Sequence, residues 1–330
     1  MTKARWKQWV KRPDHKAVLS FSGGKDSTAM YLLALEWGID FIPVFADTGH
    51  EHSYTYDYVR ELPRLTGGPE IKWVRADFSD QFARKRMFIA RDNRFGRKNG
   101  KKIRWSNKAK RRALSVLFPT GSPFLDLCML KGRFPSTKAR FCSEELKHHP
   151  IFFDVLDPLM EEGHTVISWQ GVRSEESQRR AALPRLERVG GGLYNFRPLL
   201  NWSWQQVFDI HRRHNVEPNK LYKHGCSRVG CMLCIHAQKG EVRAVSRYFP
   251  EQIDRMELWE AMVSKASKRQ QSTFFAVDKV PGKHQFDHTQ SIPDIRDVVE
   301  WSKTSHGGRQ FDLFSFGEPE QCTSLYGLCT

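Results

Sequence analysis

Short apolar runs alternate, along much of this chain, with stretches whose apolar residues recur at helical spacing. Residues 17–21, Ala-Val-Leu-Ser-Phe, read as a buried strand, Ser22-Gly23-Gly24 as a turn, and 27–37 as a helix carrying Ala29, Met30, Leu32, Leu33 and Leu35. Gly38 ends that helix. Residues 39–45 predict a second strand that runs into Asp47-Thr48-Gly49. A helix over 53–65 closes at Gly67-Gly68, and 71–76 predict a third strand. Beyond a long polar interruption the rhythm resumes with helix 143–161, strand 164–169, helix 174–182, a short strand 193–196 and helix 203–214. Helical patterns return at 250–267 and 292–302, and the last sixty residues are otherwise poorly patterned.

Strands alternating with helices of ten to fifteen residues predict an α/β fold with a doubly wound parallel sheet. In such sheets ligands sit at the carboxyl ends of the strands. Both Ser22-Gly23-Gly24 and Asp47-Thr48-Gly49 fall at such ends. Residues 1–240 read as the nucleotide-type domain, interrupted by a basic insertion at 84–112, and 241–330 as a helical and irregular extension.

Charge sharpens this picture. The net charge is +16, and the segment Arg84–Arg112, with fourteen Lys/Arg and one acid, supplies +13 of it. That concentration, with Phe88, Phe95 and Trp105 interleaved, fits contact with DNA or RNA; the competing expectation is a solvated insertion or mobile loop. The apolar runs are too short to span a bilayer and no apolar signal core follows the basic start, so a cytoplasmic protein with no membrane partner is expected. Seven cysteines, an odd number, argue against a disulfide framework.

The strongest chemical signal is Ser22-Gly23-Gly24-Lys25-Asp26-Ser27 between a strand and a helix. Glycines let the backbone approach an oxyanion, the helix N-terminus adds partial positive charge, and Lys25, Ser22 and Ser27 add side-chain donors. It is not a Walker loop: Leu19 stands where the first glycine belongs and Asp26 where Ser or Thr should follow the lysine. The cysteine spacing Cys226-x4-Cys231-x2-Cys234 asks for a cluster or zinc, against the bland reading of free thiols in a reducing compartment. Cys128, in an apolar run, reads as a core residue. His50, His52, His148 and His149 read as surface or capping residues.

The loop resembles the PP-loop of ATP pyrophosphatases. Phe45-Ala46-Asp47-Thr48-Gly49, Arg140-Phe141-Cys142 through Lys147 to Pro150, Gly171-Val172-Arg173-Ser174, Pro198-Leu199-Leu200, Leu221-Tyr222 and Gly230-Cys231-Met232-Leu233-Cys234 resemble the phosphoadenylylsulfate (PAPS) reductase family over about 17–234. The resemblance implies an adenine nucleotide alpha hydrolase-like fold. It implies ATP, or PAPS or adenylylsulfate, held by Ser22, Gly23, Gly24, Lys25, Asp26 and Ser27 with Mg²⁺ near Asp26, the adenosine side lying against Asp47, Thr48 and Gly49. Lys25, Asp26, Lys147 and Arg173 would carry catalysis. Cys142, Cys226, Cys231 and Cys234 would hold a 4Fe-4S cluster, with Zn²⁺ as the alternative. The Glu-Cys-Gly-(Leu/Ile)-His motif of true reductases is absent, and Cys322 and Cys329 stand in other contexts. The expectation is therefore an enzyme that adenylates an acceptor with pyrophosphate release, coupled to sulfur transfer from a donor protein onto nucleic acid. A PAPS or adenylylsulfate reductase and an inert nucleic-acid- or partner-binding module are the alternatives.

Overall fold

The computed structural model describes residues 3–275 and 292–304. Helix α1 (Lys3–Val10) leads into strand β1 (His15–Phe21), helix α2 (Lys25–Trp37), β2 (Phe41–Ala46), α3 (Ser53–Thr66) and β3 (Lys72–Val74). Next come α4 (Ser79–Arg91), a hairpin of β4 (Arg97–Lys98) and β5 (Lys101–Lys102), α5 (Asn107–Leu114) and α6 (Pro123–Lys131). A nearly continuous helix over 141–161 precedes β6 (Thr165–Trp169), β7 (Leu186–Gly190) and β8 (Leu193–Phe196). Helices Trp204–Arg213, Lys239–Tyr248, Pro250–Ala266 and Ile295–Ser302 follow.

The central sheet has the order β3-β2-β1-β6-β8-β7, parallel throughout except for β7, which runs antiparallel to β8. The period of two along β1 explains the two winding layers. Ala17, Leu19 and Phe21 pack with α2, with Val59 and Leu62 of α3, and with Val207 and Ile210. Val18 packs on the opposite face with Val44, Val166, Val155 and Leu156, under the 141–161 helix. The α/β doubly wound expectation therefore holds. The strand order reverses between β1 and β6, with β2 and β3 added on one side and β8 and β7 on the other, so the loops after β1 and β6 flank the switch point where such folds bind ligands.

The structure differs from expectation in several places. Helices α1, α6 and Lys239–Tyr248 and strand β7 are additions to the expected elements. The segment 84–112 is folded rather than a loose insertion: Phe82 and Ile89 of α4 and Ala109 and Ala113 of α5 are buried in one core with Phe124, Met256, Val263 and Ile295. Spacings of seven and four put these residues on inward helix faces, which the dense charge between them hides. Trp105 is buried there too, so it offers no ring to a base. No helix among the described residues is long and apolar enough to cross a membrane. Cys322 and Cys329 lie outside the described residues.

Candidate functional site

The turn after β1 is built as an anion cradle. Gly23 has φ +73°, and a Cβ there would lie 2.9 Å from Thr55 Cγ2, so a side chain is excluded by backbone strain and by space together. Ser27 Oγ donates to Gly24 O at 2.9 Å and accepts from Ser22 N at 3.2 Å, which fixes the turn. Gly24 caps α2 with extended backbone and no side-chain cap bond, leaving the first helical amides directed at the turn.

The loop's charges are held in a chain. Asp26 accepts from Lys25 Nζ at 2.8 Å and from Arg173 Nε at 2.6 Å. The side chains of Lys25 and Arg173 are each 6% exposed and that of Asp26 16%. Arg173 Nη1 also donates to Glu175 Oε2 at 2.7 Å. Burial works against the Arg173 charge, but Asp26, with Glu176 and Glu175, more than offsets it and raises its pKa above the ordinary guanidinium value. Gly171 makes the approach of the two loops feasible: a Cβ there would meet Asp26 C and Ser27 N at 3.4 Å.

A segment almost two hundred residues away supports the loop from behind. Tyr222 Oη accepts from Lys25 N at 3.0 Å, His211 Nε2 lies 2.9 Å from Lys25 O, and Asn219 Nδ2 donates to Gly23 O at 3.4 Å. The Leu-Tyr pair belonged to the quoted resemblance, but nothing in the sequence pointed to His211 or to these contacts.

Beside the cradle lies a cavity of about 640 Å³, within the range of small-molecule sites. Phe21 and Ser22 open it, Phe45, Ile151, Phe152 and Leu156 give it apolar walls, and Gln170, Asn195, Glu51 and Lys147 supply polar groups. The 141–161 helix contributes through two wide turns, Glu144–His148 and Phe152–Leu156, a distortion frequent at functional sites. Asp47, Thr48 and Gly49 form the rim of this region rather than its wall. Asp47 Oδ1 accepts from Gly49 N at 2.9 Å and Tyr56 Oη at 2.8 Å, and Thr48 is fully buried. Glu51 accepts from Thr48 Oγ1 at 2.7 Å and Tyr56 Oη at 3.2 Å. Burial, then Glu51 and Asp47, raise the Tyr56 phenol far above its ordinary value, so it stays a donor.

Several thiols lie within electrostatic reach of Lys147, which lines the cavity. Cys231 bridges to Glu51 and lies 3.6 Å from Thr48 Oγ1; Cys142 and Cys231 both feel the charge of Cys234. The fourth member of this neighbourhood is Cys128, a core residue as expected, which feels Cys142 and Cys231. Cys226 feels the charge of Glu241, its thiol pushed up to about 12, chiefly by burial. Gly225, at φ +78°, turns the chain just before it, and Cys226 is buried in the helical core against which Cys142 and Cys234 also pack. Among the described residues no group of three His, Cys, Asp or Glu is placed to hold a single metal ion. Lys147 is held protonated, its pKa raised first by Cys231 and then, against desolvation, by Glu51 and Cys234. Two histidine expectations divide: His52 caps α3, accepting from Tyr54 N at 3.1 Å, whereas His50 is fully buried. His50 stacks on Phe124, its Nε2 2.8 Å from Leu233 O, and desolvation followed by Arg255 keeps it neutral.

Comparison with known proteins identifies the family. Residues 16–237 match the phosphoadenosine phosphosulfate reductase domain. An uncharacterized 37.8 kDa protein of Escherichia phage 186 is 44% identical over 327 residues, covering 94% of this chain and 96% of its own. An uncharacterized protein of Methanocaldococcus jannaschii is 28% identical over 76% of this chain, which spans 41% of that relative's length. The PAPS reductase of Candida auris, solved as a phosphate complex, superposes with a TM-score of 0.40 and 19% identity over 70% of this chain and 87% of its own. With a family match that covers most of its length, the chain belongs to the phosphoadenosine phosphosulfate reductase domain family.

Proposed function

We propose that this chain binds ATP across the carboxyl ends of β1, β2 and β6 and catalyses adenylation of an acceptor with release of pyrophosphate. One observation carries the reading: a single carboxylate, Asp26, is held between two buried cations, Lys25 and Arg173, at a glycine turn that opens beside a 640 Å³ cavity. An acceptor oxygen or nitrogen would form a bond to the α-phosphorus while the bond to the bridging oxygen breaks, its electron pair leaving with pyrophosphate. The amides of the Ser22–Ser27 turn, with Lys25 and Arg173, would stabilise the charge that gathers on that leaving group. Such donors are fixed before reaction, so they add little reorganisation cost. Asp26 with the substrate phosphates is a donor set suited to Mg²⁺, which would neutralise part of the same charge. The apolar wall of Phe45, Ile151, Phe152 and Leu156 suits a base, and Gln170 and Asn195 offer it hydrogen bonds.

Sulfur transfer to the activated acceptor, from a donor protein, follows on this reading. Cys142, Cys231 and Cys234 would hold a 4Fe-4S cluster, whose chemistry would be to bind or deliver sulfide. The donor set supports it: three thiols within electrostatic reach of one another and of a protonated lysine that lines the cavity. Lys147 would orient the anionic sulfur or phosphate there, and the acceptor would be a nucleic acid held by the 84–112 segment.

Pyrophosphate release from Mg·ATP in the presence of candidate acceptors tests the central claim. Release by the native chain and its loss in Asp26→Ala is expected. Undiminished release by that variant would sink the proposal. Sulfite formation from adenylylsulfate with a thiol donor would replace it with the reductase reading, and nucleotide binding without turnover with the inert module.

A further inference from the structure

The 84–112 segment sorts its cations into two groups. Some are consumed in folding: Lys85 Nζ donates to Met129 O at 3.1 Å, Lys110 Nζ to Asp92 O at 2.8 Å, and Arg112 Nη2 to Ser267 O at 2.7 Å. Others, including Arg84, Arg91, Arg97, Lys98, Lys102 and Arg104, are exposed and meet no acceptor among the described residues. The segment's one acid, Asp92, is spent on Arg94 Nε and Trp105 N, both at 2.7 Å.

The arrangement of the second group is unfavourable without a partner. Asn99 and Gly100, at φ 52° and 74°, form the tight turn of the β4–β5 hairpin. Its register pairs Arg97 with Lys102 and Lys98 with Lys101, placing cationic residues opposite one another twice, an arrangement that costs stability in an isolated ladder. On α4, Arg84, Met87, Phe88 and Arg91 follow spacings of three, four and seven, so they share the face opposite Phe82 and Ile89. Phe88 is 49% exposed with the Arg94 guanidinium 4.7 Å from its ring, and Phe95, at the foot of the hairpin, is 89% exposed.

We propose that the face formed by α4 and the β4–β5 hairpin binds an unpaired nucleic-acid strand, its phosphates on the unpartnered cations and its bases on Phe88 and Phe95. Cations that repel across a hairpin are relieved by a polyanion, and exposed rings beside them match bases that are free to stack. A duplex would satisfy the cations and leave the rings unused. Two rings and one methionine are too little apolar surface for an interfacial helix on a membrane. The same lobe is tied to the loop after β2: Phe124 N of α6 donates to Thr48 O at 2.9 Å, and Ser122 Oγ to Gly49 O at 3.1 Å. The inference rests on the adenylation reading for what the strand is for, and it names the acceptor's class.

Fluorescence anisotropy of the full chain with labelled mixed-sequence 20-nucleotide DNA and RNA strands tests it, beside the matching DNA duplex and vesicles of anionic lipid. Binding of one or both single strands is expected, and which binds tells DNA from RNA. With about five phosphates engaged, the slope of log K against log salt should be about −3.5, and Lys98→Gln/Lys102→Gln should make it shallower by about 1.4. Phe95→Ala, at a fully solvated ring, should weaken binding by about 5- to 150-fold without changing that slope. No strand binding at about 50 mM salt, tighter binding of the duplex, an unchanged Phe95→Ala, or binding to vesicles alone would each overturn the proposal. Pyrophosphate release from Mg·ATP at saturating strand reports separately on the adenylation reading, and its absence in a chain that binds strands would strike that reading alone.

Discussion

Replacing Asp26 by Asn separates the structural role of the loop's charges from their catalytic one. The carboxylate neutralises two cations whose side chains are each 6% exposed, at 2.8 and 2.6 Å. An amide keeps the shape but faces Lys25 and Arg173 with one acceptor and no charge. Breaking a buried pair of this kind costs about 3 kcal/mol, because the remaining charge is left uncompensated rather than because the pair was strongly favourable. At about 2.1 cal/mol/K of unfolding entropy per residue, that loss lowers the midpoint of a 330-residue chain by about 4 °C. Lys25, without its carboxylate, and Arg173, held by Glu175 alone, should then recruit an anion to the helix N-terminus more strongly than the native loop does. Inorganic pyrophosphate should bind Asp26→Asn at least about tenfold tighter than native, worth about 1.4 kcal/mol of additional stabilisation at saturating ligand. Scanning calorimetry with and without pyrophosphate, in the absence of divalent metal, reads both effects. Turnover should still be lost. A variant that melts with the native chain, or gains no more from pyrophosphate than native does, would refute the charge-compensation argument.

Two further outcomes follow from the supports of the loop and from the buried thiol. Tyr222→Phe removes the acceptor of the Lys25 amide, bonded at 3.0 Å, and should cost about 1–3 kcal/mol without ligand, with part of that recovered when ATP supplies an acceptor; equal loss with and without ATP would place the phenol outside the cradle. Burial pushes the Cys226 thiol from 9.0 up to about 12, so below pH 9 folded and unfolded chains both keep the proton and its contribution is intact. Between pH 9 and 12 only the unfolded chain releases that proton, and stability falls by up to about 1.4 kcal/mol per pH unit. Cys226→Ala should melt with a correspondingly shallower decline between pH 9 and 10.5, and an unchanged decline would mean that the thiol is not buried in this way.

What the sequence made legible was local. A strand, a glycine turn and a helix follow one another within twenty-three residues from His15 to Trp37, so the cradle and its place at a carboxyl end could be read without tertiary information. The same holds for Asp47-Thr48-Gly49, since both loops end short buried strands. What stayed hidden depends on contacts between distant segments. The Arg173–Asp26 pair spans 147 residues and the Tyr222–Lys25 bond 197, and no periodicity encodes either. The cavity wall stayed hidden for a related reason: a cavity-lining helix face and a core-packing face look alike in an apolar pattern. Ile151 and Leu156 carry no mark in the sequence that sets them apart from core residues, yet both line the cavity beside Lys147.

The cysteines show where spacing misleads. Cys226, Cys231 and Cys234 are close in sequence, and proximity along the chain favours grouping them. Yet a glycine at φ +78° before Cys226, and the pairing of Cys231 with Glu51, send the two ends of that segment in different directions. Cys128, on a helix bonded to the Thr48 loop through Phe124 N, feels the charges of Cys142 and Cys231. Backbone contacts leave no residue signature, so a mutation that loosens α6 from Thr48 should disturb the thiol neighbourhood without touching a cysteine.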